Sequence, residues 1–224
     1  MTIVSIHQPI YLPWLAYFDK IRRSDIHVVL DTVTVGKADL CNRNKIRTPT
    51  GWQWLTIPIK NKGSRSTPIG KIETVNDDWR DSHLGLIRAA YSEAKYFSRY
   101  IDEVRFWYEC TPSERLLSHT APIIHMLLNF FKINKPKIVY AHQLQATGHK
   151  SDLNLNICKE LGATTYLSGP YGRDYLDIPK FNASGIDVQF TDYKHPMYRQ
   201  QPYLDFIPGM SALDALFNCG GFPI

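Results

Sequence analysis

The sequence predicts an α/β fold: a mostly parallel open sheet with helices on both faces and a helical insert at about residues 79–131. Two observations predict it. Short apolar runs of strand length alternate with helix-period segments in both terminal thirds, the pattern of βα units around parallel strands. The opening also reads as one such unit, because the β-branched run 2–6 stops at His7-Gln8-Pro9 and Leu15, Phe18 and Ile21 follow at helical spacing. Pro9 cannot donate to a sheet ladder, and Pro13 is tolerated only near a helix start. His7 and Gln8 are therefore expected at the carboxyl end of a first strand, where open α/β sheets bind ligands.

The remaining elements follow in order. The apolar run 26–30, closed by Asp31, predicts a second strand. Residues 32–50 hold Gly36, Asp39, Asn42 and Asn44 and read as an irregular polar loop. A strand is expected over 52–59, pushed toward a sheet edge by Pro58. A polar surface loop over 61–70 is expected to cover the site as a mobile lid, and a short strand follows at 72–75. Helices are expected over 79–96 and 99–108, then from Thr111 as N-cap and Pro112 as first residue to about Phe131. Pro122 should kink or split that last helix. Strands at 138–140, 164–167 and 187–190 alternate with helices at 151–161, 173–182 and 211–217, with Ser151 as a cap and Gly162 as a stop. All 224 residues are read as one domain.

A net charge of +5 and a pI near 8.9 suit an anionic ligand such as a nucleotide, a sugar nucleotide or tRNA. The charge is spread along the chain, however, with no long Lys/Arg run. Cys41, Cys110, Cys158 and Cys219 form no CxxC, which argues against a zinc ribbon or a disulfide framework. No signal-peptide pattern opens the chain and no apolar stretch reaches membrane-spanning length, so a cytoplasmic protein without membrane insertion is expected.

Several polar groups are expected just beyond strands. They are His7 and Gln8 with Tyr11 nearby, Asp31, the run Asn42-Arg43-Asn44-Lys45, and the turn Ser168-Gly169-Pro170-Tyr171-Gly172-Arg173. Alternating amides and cations supply many donors for phosphate or carboxylate. Paired glycines permit close backbone approach to a ligand. Parallel strands would gather these groups on one edge. His195, after the strand 187–190, is a candidate acid or base, because imidazole titrates near neutrality. His119, His125, His142 and His149 match no metal-ligand spacing, and there is no GxSxG elbow or P-loop.

Four stretches together resemble the WbqC-like family of bacterial proteins from end to end. They are IHQPIYLPWLAYFDKIRRSDIHVVLD, NRNKIRTPTGWQWLTIPI, TTYLSGPYGRDYLD and SALDALFNCGG. The resemblance implies a place in O-antigen or surface-glycan (lipopolysaccharide) synthesis and a glycine transferase role. Relatives commonly carry a second acidic residue where this chain has Thr32, and an aromatic residue where it has Leu40-Cys41. A metal site of adjacent carboxylates is therefore not expected here. Asp31 is instead read as a hydrogen-bonding partner for a ribose, a sugar hydroxyl or an amine.

The leading expectation is an enzyme that transfers an acyl or aminoacyl group, glycyl in the implied case, to a nucleotide-linked amino sugar. His7, Asp31 and His195 are the candidate catalytic residues. Gln8, Tyr11, Asn42, Arg43, Asn44, Lys45, Ser168, Gly169 and Arg173 are the candidate binding residues. ATP or another activated acyl donor would drive the reaction, and tRNA enters only if an aminoacyl-tRNA is that donor. The alternative is a non-catalytic protein of the same pathway that binds a nucleotide sugar or recruits a partner enzyme.

Overall fold

The structure, a computed structural model, describes the chain apart from residues 37–39, 61–65, 76–77, 111–113, 201, 204 and 224. In chain order the elements are β1 (Ile3–His7), α1 (Leu15–Arg22), β2 (Ile26–Val29), β3 (Arg43–Thr48), β4 (Gly51–Thr56), α2 (Trp79–Tyr91), α3 (Phe97–Cys110) and α4 (Leu116–Phe130). There follow β5 (Lys137–Tyr140), α5 (Lys150–Glu160), β6 (Thr165–Ser168), α6 (Ile178–Ala183), β7 (Asp187–Phe190) and α7 (Ala212–Cys219). They fall into two compact units. One comprises Met1–Gln8, Ala16–Thr32 and Ile133–Lys194; the other comprises Pro9–Leu15, Val33–Lys132 and His195–Ile224.

The first unit is the predicted α/β sheet, with five strands in the order β5-β2-β1-β6-β7 and every pairing parallel. The chain steps outward from β1 through β2 to β5, then crosses back to β6 and β7. The direction of winding therefore reverses between β1 and β6, which is where doubly wound sheets open a crevice for ligands. Register decides the faces. Ser5 aligns with His27 and Leu167, and Val4 aligns with Ile26 and Tyr166. The Tyr17 ring of α1 lies 5.4 Å from His27, so the Ser5–His27 face carries α1. Tyr166 stacks on Phe181 of α6 at 5.3 Å, and its hydroxyl accepts from Asn154 of α5 at 3.2 Å, so the opposite face carries α5 and α6.

The second unit packs the hairpin β3–β4 with α2, α3, α4 and α7. Its core includes a cluster in which the Tyr11 hydroxyl meets His83 Nδ1 at 2.9 Å and the Tyr108 hydroxyl, with Trp79 and Trp107 against the Tyr11 ring. A second buried polar centre is Asp214, which accepts from the Tyr198 hydroxyl at 2.6 Å and from Gln200 Nε2 at 2.8 Å. Removing that carboxylate strands both donors. Asp214→Ala is expected to cost about 2–4 kcal/mol, because each buried polar group left unmade costs about 1–3 kcal/mol. Urea unfolding at neutral pH would register the loss as a lower midpoint with an unchanged slope.

Six local expectations are corrected. The run from Arg43 to Thr48 is a strand rather than a loop, because Ile46 and Leu55 are fully buried and alternate with polar neighbours along the hairpin. Residues 72–75 form no strand and make only isolated bridges, Glu73 with Arg115 and Thr74 with Ile59. The long helix begins at Leu116, because Glu114 and Arg115 are drawn into extended pairing with Thr74 and Glu73. The expected cap at Thr111 and Pro112 lies outside the described residues, as do residues 61–65 of the expected lid. Pro122 does not split α4. A proline inside a helix costs about 3 kcal/mol, and burying Leu116, Ile123, Ile124, Leu127 and Leu128 at about 1.5–3 kcal/mol each outweighs it. Ser151 does not cap α5; its hydroxyl accepts from the Asp177 amide at 2.9 Å. Residues 173–182 divide into a 3-10 turn (Pro170–Asp174) and α6, which starts afresh where Asp177 accepts from the Lys180 amide and Pro179 fits the first turn.

Candidate functional site

The carboxyl edge of the parallel sheet collects polar groups from four adjacent strands. His7 ends β1, Asp31 lies two residues past Val29 of β2, His142 lies two residues past Tyr140 of β5, and Ser168 ends β6. Register brings them abreast, since His7 aligns with Val29 and Val29 aligns with Tyr140. Asp31 is buried, and its two oxygens accept from His142, from Nδ1 at 2.5 Å and from the backbone amide at 3.1 Å. A carboxylate only accepts, so Nδ1 carries the proton and the Nε2 lone pair points away from Asp31. The His142 side chain is 54% exposed. A buried acid orienting an accessible imidazole is the arrangement of a general base. The Tyr140 ring lies 5.7 Å from that imidazole, and burial together with the Asp31 carboxylate raises its phenol.

His7 is held differently. Its Nδ1 donates to the Gln8 carbonyl at 3.0 Å, which leaves the lone pair on Nε2, and the Tyr17 ring meets it edge-on at 5.1 Å. Burial and the neighbouring Lys20 ammonium push this imidazole down to about 3. It is neutral at physiological pH. Lys20 itself projects from α1 under the sheet, buried, with Nζ donating to the Ile6 carbonyl at 2.9 Å. Burial lowers its ammonium to about 7.

A buried chain of hydrogen bonds continues on the same face. The Ser24 hydroxyl donates to the Lys20 and Ile21 carbonyls, so it accepts from Ser5 at 2.7 Å. Ser5 in turn accepts from His27 Nδ1 at 2.8 Å, and His27 Nε2 faces the Tyr17 hydroxyl at 3.4 Å. Every member has its direction fixed by the carbonyls at the end. Such satisfied networks hold a site rigid.

On β6, the buried Ser168 hydroxyl donates to the Gly169 carbonyl at 3.2 Å, and the Arg173 guanidinium covers the Phe190 ring at 4.2 Å. The turn is tightly packed. A Cβ at Gly172 would lie 2.1 Å from Ser168 Oγ, 3.0 Å from Leu176 and 3.1 Å from Phe190. Gly172→Ala is expected to swing the Ser168 hydroxyl off Gly169 and to destabilise by about 1–3 kcal/mol, as overpacking does. A thermal melt beside wild type tests this.

The other candidates lie in the second unit. Asn42 and Lys45 do not follow a strand of the parallel sheet; they flank and belong to the antiparallel hairpin. Asn42 Nδ2 donates to the Ile57 carbonyl at 2.9 Å. Asn44 is buried, with Nδ2 on the Leu12 carbonyl at 2.6 Å and Oδ1 on the Lys45 amide at 2.8 Å. Arg43 and Lys45 lie over Trp54 and Trp52. Tyr11 is fully buried in the aromatic cluster, its hydroxyl committed there. His195 Nδ1 donates to the Pro196 carbonyl at 2.9 Å, with its ring against Phe206.

Two residues of the edge escape sequence reasoning. His142 satisfies the rule that picks out Asp31, a polar side chain just beyond a predicted strand, and that signal was present. Lys20 carries no such signal, since lysines are almost never buried and its place on the Tyr17–Ile21–Ser24 stripe shows only in the packing. Among the described residues, no group of three or more His, Cys, Asp or Glu could hold a metal ion, and no helix is long and apolar enough to cross a membrane.

A family model of WbqC-like proteins matches residues 8–222. The uncharacterized protein Rv1507c of Mycobacterium tuberculosis (strain ATCC 25618 / H37Rv) is 30% identical over 220 residues, covering 98% of this chain and 95% of that protein. No solved structure matches. With a doubly wound sheet, polar groups along its carboxyl edge and a family match across nearly its whole length, the chain belongs to the WbqC-like protein family.

Proposed function

We propose that the protein transfers a small acyl or aminoacyl group, glycyl in the implied case, to an amino group of a nucleotide-linked sugar during O-antigen or other surface-polysaccharide synthesis in the cytoplasm. The observation that carries this reading is the Asp31–His142 pair, just past the ends of adjacent parallel strands, with its imidazole accessible. His142 Nε2 takes the proton of the acceptor amine as its nitrogen attacks the acyl carbon. The new C–N bond forms, the bond to the donor's leaving group breaks, and the imidazolium returns the proton to that leaving group. ATP-derived adenylate, a thioester or an aminoacyl-tRNA would each supply such a leaving group.

The proton passes to His142 rather than His7. With His7 near 3, protonating it at pH 7 costs on the order of 5 kcal/mol. As a neutral ring at the end of β1, His7 accepts from the acceptor's N–H and positions it in this reading. Gln8 stands beside it, and Ser168 at the end of β6, with Gly169 and Arg173 in the turn that follows, lies across the reversal of winding, where a nucleotide's phosphates are placed in this reading.

The test is incubation of pure protein with glycine and ATP, glycyl thioester or glycyl-tRNA, and a panel of nucleotide amino sugars, followed by mass spectrometry. A mass gain of one glycyl residue on one sugar is expected. Unmodified sugars throughout would sink the transfer reading, and tight sugar-nucleotide binding without turnover would establish the non-catalytic role instead.

A further inference from the structure

The β3–β4 hairpin carries a surface that acyl transfer at the parallel sheet does not use. Its register pairs Lys45 with Trp54, Arg47 with Trp52 and Arg43 with Thr56, so these side chains share one face. Arg47 is fixed at the turn end. It is buried, donates to the Gly51 carbonyl at 2.7 Å and the Asp205 carbonyl at 3.1 Å, and covers Tyr203. The rest of the face is an interleaved row. The Arg43 guanidinium lies 4.6 Å from the Trp54 ring, and Lys45 Nζ lies 3.9 Å from Trp52 and 5.1 Å from Trp54. The two indoles meet edge-on at 5.6 Å. Trp52 is 44% exposed. Among the described residues, no carboxylate forms an ion pair with Arg43 or Lys45.

Adjoining indoles offer flat stacking faces, and cations without an acidic ion-pair partner among the described residues suit an anion. The ligand must therefore bring both negative charge and flat rings. Shape narrows it further. Mononucleotide sites are concave, whereas this face lies along a two-stranded ribbon whose half-exposed part, Arg43, Lys45, Trp52 and Trp54, runs up to the buried Arg47. Stacking platforms alternating with cations are how single-stranded nucleic acid is gripped without sequence readout. We propose that this hairpin face binds a single-stranded polynucleotide, with bases stacking on Trp52 and Trp54 and phosphates on Arg43 and Lys45. This proposal stands independently of the acyl-transfer reading.

Fluorescence anisotropy with labelled RNA and DNA oligomers of about 12 nucleotides, a span within the usual site size, tests it. Wild type should bind at least one of them, and the bound arm identifies the sugar. Trp52→Ala should weaken binding about 5–100-fold, while Trp52→Phe, which keeps a stacking face, should recover most of it. Lys45→Ala should lower the slope of log affinity against log salt by about 0.7, the value for one lost phosphate contact on a single strand. Circular dichroism confirms that each variant is folded. The proposal is overturned by no binding to either oligomer, by affinities unchanged in the variants, by polyglutamate competing as well as the oligomers, or by uridine monophosphate binding as tightly.

Discussion

His142→Ala is expected to lower the proposed acyl transfer by roughly 10²–10⁴-fold with little change in melting temperature, because a positioned acid or base contributes about that much and this side chain is half exposed. Asp31→Asn is expected to do comparable harm by a different route. The carboxylate accepts two bonds from His142, at the ring and at the backbone amide. A carboxamide can accept one of these with its oxygen but presents N–H to the other, so the imidazole turns or changes tautomer. The pH–rate profile separates the two. His142→Ala should abolish the acidic limb that a general base imposes, and Asp31→Asn, which leaves the imidazole in place, should keep one. His7→Asn serves as the contrasting case. It keeps a hydrogen-bonding group and should raise KM more than it lowers kcat. Full turnover in a folded His142→Ala protein would remove the pair from the mechanism.

The second large effect is on stability. Lys20 is buried in the folded protein and titrates near 7, against an ordinary value of 10.5. Between those values the unfolded chain holds the proton and the folded chain does not. Stability therefore rises as pH climbs from about 7 to about 10.5, and below 7 the folded protein carries the full cost of a buried ammonium. The span is on the order of 5 kcal/mol. His7 and His27 are likewise held below their ordinary value by burial and by Lys20, so further stability is lost as pH falls through 6.5. Lys20→Met should raise the urea midpoint at pH 6, where the ammonium is costly. It should give no gain at pH 9.5, where neutral Lys20 still donates to Ile6 and methionine cannot. A wild-type midpoint that does not move between pH 6 and pH 9.5 would contradict the buried ammonium.

Such a cost invites a reason. The Lys20 ammonium lies under the strand that ends in His7, and its charge is one of the causes that keep that ring neutral. In the proposed reaction a neutral His7 can accept from an incoming amine, whereas an imidazolium has no lone pair with which to do so. The stability lost to Lys20 is thus tied to the state of the edge above it, in keeping with the tendency of perturbed groups to gather at functional sites.

The parallel sheet was legible in the chain because its strands are short segments rich in β-branched and aromatic residues, several of them closed by a polar one, and that pattern is local. The strands at β1, β2, β5, β6 and β7 and the placement of His7 and Asp31 at their ends follow from it. The basic run was misread because Arg43, Asn44, Lys45 and Arg47 are polar. Only the Ile46–Leu55 core and the tryptophans opposite make that sequence a strand. The long helix starts late because Glu114 and Arg115 pair with residues some forty positions away. Spacing thus determined the α/β class and the polar strand ends, and the four long motifs carried the family resemblance. The order β5-β2-β1-β6-β7, the burial of Lys20 and the meeting of Asp31 with His142, 111 residues away, were decided only by tertiary structure. Strand propensity is written in neighbouring residues, whereas strand order and side-chain partnership depend on which distant segments pack together, and no local window of the sequence contains both partners.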